Sequence, residues 1–415
     1  MPRLFQITLQ ANMGSVGRIA EQIGRRAVAR GWDCGMTYSR GFCGESSLTL
    51  VGVGSRVSSL QHALMTRLFD RHALHSGAAT DRLIRHIQNV DPDLIQIHNI
   101  HGYWLDIRRL AAFLRGCGKP VVMTLHDCWA FTGHCAFFYD FRKGTDCMRW
   151  QSGCHHCPLR TEYPSSLLAD RSRRNYELKR SLLTSIPNLT VVAVSEWLAS
   201  VVRRSFLRDM PVRVIRNGVD LSEFAPTVSP PARRHCIEKE GGSRPYVLGV
   251  ASVWDARKGL EDFVELRRRL DPQTDVVLVG LSTRQIRKMS GIPGLICLGR
   301  MAAPVDLAAL YSSASLFVNP TYGETLSAVN IEAQACGTPV LTYASGGTTE
   351  TVLSGQTGEV VERGDVEALA AAARRMLRHR NVYSAEGCRD FVVGRFDARA
   401  NFDRYVDLYE ELLGR

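Results

Sequence analysis

Asn319-Pro-Thr-Tyr-Gly-Glu324-Thr-Leu-Ser-Ala-Val-Asn-Ile-Glu332-Ala-Gln-Ala-Cys-Gly-Thr-Pro-Val340 decides the reading of this chain. An apolar run at 315–319 precedes it and another, 339–342, closes it, so it reads as strand, loop, helix, strand. Glu324 falls in the loop and Glu332 eight positions later on the helix. Eight positions is just over two helical turns, so a helix beginning near Thr325 lets both carboxylates address one side. The unpaired amides of such a helix start, at Thr325, Leu326 and Ser327, offer a diphosphate an anion site. Carboxylates suit the vicinal hydroxyls of a ribose or a sugar, because they only accept hydrogen bonds.

Working outward, short apolar runs alternate with amphipathic stretches along the whole chain, which argues for parallel sheets with crossover helices. Strands are expected at 4–8, 34–38, 94–97, 121–125, 190–194 and 212–215, and helices at 16–30, 56–89, 106–114 and 165–183. Arg216-Asn-Gly-Val-Asp220 reads as a turn, and 225–244, rich in Pro, Gly and charge, as a linker or exposed loop. Further strands are expected at 246–250, 275–279, 296–298, 315–319, 339–342 and 359–361. The fold class is therefore α/β, with two doubly wound Rossmann-like domains facing across a cleft, since 415 residues exceed one ordinary core. The first domain covers 1–215 with a cysteine-rich insertion at 126–160, and the second 216–395. A terminal amphipathic helix within 396–415 is expected to pack back on the first domain.

Other stretches fall at strand ends. Arg257-Lys258-Gly259 follows the first strand of the second domain, and Ser345-Gly346-Gly347 opens a helix in the same domain. Asn12-Met13-Gly14-Ser15-Val16-Gly17-Arg18 follows the first strand of the chain. It is not a full GxGxxG, and Tyr38 stands near the position where a dehydrogenase needs an acid, so the dinucleotide reading is poor. His126-Asp127 follows the strand at 121–125, and His98-Asn99-Ile100-His101-Gly102-Tyr103-Trp104 ends another strand. Asn99, His101, Tyr103 and Trp104 are expected to line the acceptor side, where aromatic faces stack on sugars. Asp91-Pro92-Asp93 imitates a metal-binding Asp-x-Asp but reads as a turn.

The stretch at 319–340 resembles the Glu-seven-residues-Glu motif of retaining glycosyltransferases of family 4, and Glu332-Ala-Gln-Ala-Cys-Gly-Thr-Pro-Val340 is similar to that family's continuation almost residue for residue. The resemblance covers nearly the whole chain and is weakest in the linker. It implies the GT-B architecture and sugar transfer with retention, without a catalytic metal. Glu324 would contact donor sugar hydroxyls, and Glu332 the ribose of a UDP- or GDP-sugar. Lys258 would sit on the donor phosphates. The family arginine, usually about five residues before that lysine, has no counterpart in Ser252-Val253-Trp254, and Arg257 is taken as its substitute. Gly14, Ser15 and Arg18 would approach the donor phosphates, and His126 the reacting sugar. The resemblance further implies a glycan or lipid-linked acceptor in bacterial exopolysaccharide, capsule or lipopolysaccharide synthesis. A nucleotide-sugar 2-epimerase of the same fold is the alternative.

Cys135, Cys147, Cys154 and Cys157 fall in the insertion, ending in C-x2-C. That spacing suits a tetrahedral structural zinc, with Cys128, His134, His155 and His156 as alternate ligands, and with unligated thiols or an iron–sulfur cluster as the other readings. Similar wording around Trp129-Ala-Phe-Thr-Gly-His-Cys135 occurs in a subset of the family.

The charge is lopsided. Residues 1–215 carry 28 Lys and Arg against 16 Asp and Glu, a net of +12, and the remainder 24 against 25. An anionic membrane surface accounts for this better than nucleic acid, because the cations are scattered rather than set in an aromatic stripe. With no secretory leader read at the start and no apolar stretch near the ~18 residues of a membrane span, the location expected is cytoplasmic, peripheral on the inner membrane face.

Overall fold

The computed structural model describes residues 1–415 except 40, 42, 228–243 and 302, so most of the expected linker lies outside the described residues. The chain forms two compact units, Met1–Arg216 with Ala400–Arg415, and Asn217–Arg399.

Unit 1 is built on a parallel sheet of seven strands in the order β3-β2-β1-β4-β5-β8-β9. These are β1 Arg3–Ile7, β2 Asp33–Ser39, β3 Thr49–Val53, β4 Leu94–Ile97, β5 Val121–Leu125, β8 Leu189–Ala193 and β9 Val212–Val214. β4, β5 and β8 are buried at every residue, as strands covered by helices on both faces must be. β6 Tyr139–Asp140 and β7 Thr145–Asp146 form a small antiparallel hairpin in the insertion. The helices are α1 Gly14–Ala29, α2 Arg56–Phe69, α3 Gly77–Val90, α4 Ile107–Gly116, α5 Ser172–Leu183 and α6 Glu196–Val202. The terminal helix, Ala398–Leu412, returns most of its length to this unit. Asp403 pairs with Arg26 of α1 at 2.7 Å, and the Tyr409 hydroxyl donates to Gln96 of β4.

Unit 2 carries six parallel strands in the order β12-β11-β10-β13-β14-β15. They are β10 Tyr246–Val250, β11 Asp275–Val279, β12 Leu295–Leu298, β13 Leu316–Asn319, β14 Val340–Tyr343 and β15 Gly358–Val361. Val247, Phe263, Leu266, Leu278, Leu316 and Leu341 anchor its core.

The departures from expectation have local causes. β3 was not anticipated: Thr49-Leu-Val-Gly-Val53 is a half-exposed edge strand with a weak apolar pattern. The stretch expected to be helical at 56–89 holds two helices, parted where Asp70, Ala73 and Ser76 take positive φ. α5 begins at Ser172 rather than 165, where the Asp170 carboxylate accepts from the Ser172 amide. The terminal helix is preceded by a separate one, Ala385–Phe396, with the break at Asp397. The helix expected from Thr325 begins at Ala328, leaving Thr325–Ser327 as its lead-in. Among the described residues, no helix is long and apolar enough to cross a membrane.

Candidate functional site

In an open parallel sheet, the crevice forms at the strand carboxyl ends where the strand order reverses. In unit 2 that point lies between β10 and β13, whose register sets Val247 beside Leu316 and Leu248 beside Phe317. The chain leaves β10 into Trp254–Gly259 and leaves β13 into Pro320–Ser327, so both loops emerge side by side. Gly259 holds them together: its φ is +68°, and a Cβ there would stand 2.3 Å from the Pro320 carbonyl oxygen. Arg257 adds to the seam, its carbonyl accepting from the Tyr322 amide at 2.8 Å and its Nη1 donating to the Gly323 carbonyl at 2.8 Å.

The seam brings the predicted residues together. Lys258 Nζ lies 2.5 Å from Glu324 Oε2, and Arg257 Nη1 3.9 Å from the same oxygen. Burial alone would push the Glu324 carboxyl up, but Lys258 and Arg257 outweigh it and hold it below the usual carboxylate range. Glu324 is therefore ionised at neutral pH. The Gly347 amide donates to the Glu324 carbonyl at 3.0 Å, so the Ser345-Gly-Gly stretch packs on the same loop. Ser327, the residue before the helix Ala328–Ala335, makes no side-chain cap to it. Its hydroxyl instead accepts from Asn319 Nδ2 at 2.8 Å, and Asn319 also donates to Asn330 Oδ1 at 2.8 Å. This buried amide pair fixes the helix to the end of β13 and leaves its first-turn amides uncapped by Ser327. Glu332 is engaged differently from Glu324, accepting from the Tyr311 hydroxyl at 2.9 Å. Leu326 is buried.

In unit 1 the order reverses between β1 and β4. His98 ends β4, and its Nδ1 lies 3.0 Å from His126 Nε2 at the end of β5, the two rings stacked 5.3 Å apart. The tautomers follow from one anchor. Gln6 Nε2 donates to the Ala20 carbonyl at 2.9 Å, which turns Gln6 Oε1 to His98 Nε2 at 3.0 Å. His98 must donate there, so its Nδ1 accepts and His126 Nε2 is the donor. Burial keeps both neutral: it pushes His126 down to about 4 and His98 well below its ordinary value. His126 therefore keeps an acceptor nitrogen, Nδ1, at neutral pH.

Asp127 is engaged on both oxygens. It accepts from His101 Nε2 at 2.8 Å and from the Trp129 amide at 2.9 Å, and His101 Nδ1 reaches the Tyr163 hydroxyl at 3.0 Å. Among the residues expected on the acceptor side, Asn99 and Tyr103 are half-buried and His101 is buried. Trp104 is a correction. It is 1% exposed, and its indole donates to the His101 carbonyl at 3.2 Å, so it supports the loop from within and offers no face to a ligand. Gly14 and Ser15 open α1 at the carboxyl end of β1, with Ser15 and Arg18 exposed. Sequence reasoning missed the partnership of His98 with His126, although each directly follows a buried strand and that position was the available signal.

The four cysteines line one small cavity with His134, His155 and Trp150, and all four are free. Amides donate to two of the sulfurs, Gly133 N to Cys154 Sγ at 3.1 Å and Leu159 N to Cys157 Sγ. A Cβ on Gly133 would stand 2.5 Å from the Cys154 Cβ, so the loop approaches as closely as glycine allows. Among the described residues, no three His, Cys, Asp or Glu side chains stand in metal-holding geometry.

Comparison with known proteins adds the following. The family described as "Glycosyltransferase Family 4" matches residues 16–223, and "Glycosyl transferases group 1" matches 244–379. The chain is 27% identical over 263 residues to a putative colanic acid biosynthesis glycosyl transferase, WcaC, of Escherichia coli, covering 60% of this chain and 61% of that protein. It is 34% identical over 245 residues to a GDP-mannose-dependent phosphatidylinositol monomannoside mannosyltransferase of Mycolicibacterium smegmatis, covering 54% and 62%. The matches thus span about three-fifths of the length of these relatives. Among solved structures, sucrose-phosphate synthase from Thermosynechococcus elongatus superposes over 100% of both chains with a TM-score of 0.72 at 20% identity. Anabaena Alr3699/HepE, solved with UDP and glucose, superposes over 99% of this chain and 100% of its own with a TM-score of 0.68 at 15% identity. At such identities these two likenesses speak for the GT-B fold alone.

Proposed function

The chain belongs to glycosyltransferase family 4, and from that premise we propose that it moves a sugar from a nucleotide-sugar to a hydroxyl of a glycan or lipid-linked acceptor, with retention of configuration. The observation that carries this reading is the Lys258–Glu324 pair at the reversal point of the second sheet. In the proposed chemistry Lys258 turns from Glu324 to the leaving diphosphate, aided by Arg257 and the first amides of the helix Ala328–Ala335. Glu324, freed and ionised, accepts hydrogen bonds from the donor sugar, and Glu332 from the ribose. His126 offers its neutral Nδ1 to a sugar hydroxyl. A phosphate oxygen of the leaving group takes the acceptor proton, so no protein base is required. The donor contacts expected of Gly14, Ser15 and Arg18 belong to the same proposal.

The colanic acid relative supports a place in surface-polysaccharide assembly, the mannosyltransferase relative a lipid-borne acceptor, and their transferase names give the epimerase alternative nothing. UDP or GDP as the nucleotide, a cytoplasmic location and an acceptor presented at an anionic membrane surface complete the reading. Thermal-shift screening against UDP-, GDP- and ADP-sugars tests it. A donor at about 100 times its Kd stabilises the fold by roughly 2.7 kcal/mol, and no shift with any nucleotide or nucleotide-sugar would refute it.

We further propose that Cys135, Cys147, Cys154 and Cys157 take a structural zinc. Their shared cavity and the two amide-to-sulfur bonds support a sulfur-ligand site. Burial pushes the Cys154 thiol up to about 11 and Cys157 up to about 12, so a metal would have to displace their protons, and the side chains must close in to reach metal distance. The metal would staple the insertion and takes no part in the chemistry above. Elemental analysis should find one zinc per chain, lost together with thermal stability in Cys154→Ser/Cys157→Ser. Zinc-free protein of unchanged stability would remove the claim.

A further inference from the structure

A surface helix ordinarily buries its apolar face and exposes its polar one, but α2 does the reverse. Its buried residues are Ser59, His62 and Thr66. Val57, Leu60 and Leu64, which share the opposite face at helical spacing, are 66%, 72% and 56% exposed. The inward polar face is satisfied only in part: His62 Nδ1 lies 3.0 Å from Ser76 Oγ and Thr66 Oγ1 donates to the His62 carbonyl at 2.9 Å, while the buried Ser59 hydroxyl has no hydrogen-bond partner. The apolar stripe continues beyond the helix. The Leu167 amide donates to the Arg67 carbonyl at 2.6 Å, which brings Leu167 and Leu168, 57% and 70% exposed, alongside the last turn of α2.

Positive charge borders this apolar face. Arg56 and Arg67 are exposed on α2 itself. Just past its end opens a cavity of about 370 Å³ lined by Arg71, Arg108, Arg171 and Arg174. Arg108 is already held by Asp106 at 2.6 Å, and the acid at the rim, Glu177, by Arg173 at 3.1 Å. The buried Nε of Arg71 has no hydrogen-bond partner. The cavity thus offers a surplus of cationic donors next to exposed leucines.

We propose that this face docks the protein on an anionic membrane, with Leu60, Leu64, Leu167 and Leu168 entering the acyl boundary and the arginine cavity taking a phospholipid phosphate. This deepens the membrane-surface reading given above and rests on it. Leucines bring burial, arginines bring attraction to anionic headgroups, and together they meet both requirements of interfacial binding. A second copy fits the same face poorly, because two-fold pairing would bring two patches rimmed by the same exposed cations, Arg56 and Arg67, together.

Vesicle flotation of the full chain tests this, with phosphatidylcholine vesicles alone or containing phosphatidylglycerol. The wild-type protein should float with phosphatidylglycerol vesicles only, and less so at high salt. Leu60→Glu/Leu64→Glu should weaken capture by at least about ten-fold. Arg171→Glu/Arg174→Glu should weaken it by about ten-fold and flatten the salt dependence. Both variants alter exposed or half-exposed positions and should keep the wild-type thermal shift with the donor nucleotide. Wild-type protein that never floats, or variants that float as it does, would overturn the docking proposal while leaving sugar transfer standing. Conversion of a dimer to a monomer by Leu60→Glu/Leu64→Glu, without vesicle capture of the wild type, would also overturn it and give the face to a second copy. Flotation as expected with no nucleotide shift in the wild type would uphold docking and sink the transfer reading instead.

Discussion

If Lys258 and Glu324 form one electrostatic unit, replacing both should cost less than the two single replacements added together. Their charged atoms lie 2.5 Å apart, and each side chain is 18% exposed. At an effective dielectric constant of about 20 the attraction at that distance is roughly 6–7 kcal/mol. Desolvating two ions cancels several kcal/mol of it. Arg257, 3.9 Å from the same carboxylate oxygen, remains as a substitute partner when Lys258 is removed. A net coupling of about 2 kcal/mol is left, above the ~1 kcal/mol ceiling of exposed pairs and below the 3–5 kcal/mol cost of breaking a fully buried one. Lys258→Met, Glu324→Gln and the double variant, each unfolded in urea beside the wild type, give the coupling as a difference of four midpoints at constant slope. Single costs that simply add, within about 0.5 kcal/mol, would refute the pairing.

Gly259→Ala should destabilise unit 2 by about 3 kcal/mol or more, since φ of +68° and a Cβ 2.3 Å from a backbone oxygen leave the loop no small adjustment; wild-type unfolding would show that the seam is not held there. Acid should weaken unit 1 selectively. His126 is pushed down to about 4 by burial, next to neutral His98, with Asp127 pulling the other way and His101 pushing with burial. The unfolded chain takes up a proton near pH 6.5 that the folded site refuses, so stability is complete above that pH. It then falls as pH drops toward 4, by up to about 3 kcal/mol. His126→Gln should make the fall shallower without abolishing it, since His98 is also held well below its ordinary value by burial, and a wild-type unfolding midpoint unchanged between pH 7.5 and 4.5 would contradict the neutral pair.

Much of the fold was legible because buried parallel strands are continuous apolar runs. Leu94–Ile97, Val121–Leu125, Tyr246–Val250 and Asp275–Val279 have the bounds that their apolar residues predict. What escaped was set by other forces. β3 is an edge strand whose half-exposed residues carry no period, and the break after Phe69 depends on left-handed residues that are not glycine. At the site, the family resemblance singled out Lys258, Arg257 and Glu324, and the structure sets them on one seam because strand ends at a reversal point are adjacent whatever lies between them in sequence. The sequence did not reveal that the helix starts three residues late, at Ala328, a shift held by the buried Asn319–Ser327 and Asn319–Asn330 bonds. Nor did it reveal that Asp127 accepts from His101, 26 positions away in sequence. Trp104 looked like a sugar platform from its type, and burial gave it to the core.

Turnover of nucleotide-sugars by wild-type, Lys258→Ala and Glu324→Ala proteins, followed as release of nucleoside diphosphate over a panel of UDP-, GDP- and ADP-sugars with candidate acceptors, reaches the core of the functional reading. The wild type should consume one donor class, and each variant should lose about 10²–10³-fold in rate while keeping the wild-type circular dichroism spectrum. Near-normal turnover in either variant would mean that the charged seam between β10 and β13 is not where the sugar leaves its nucleotide.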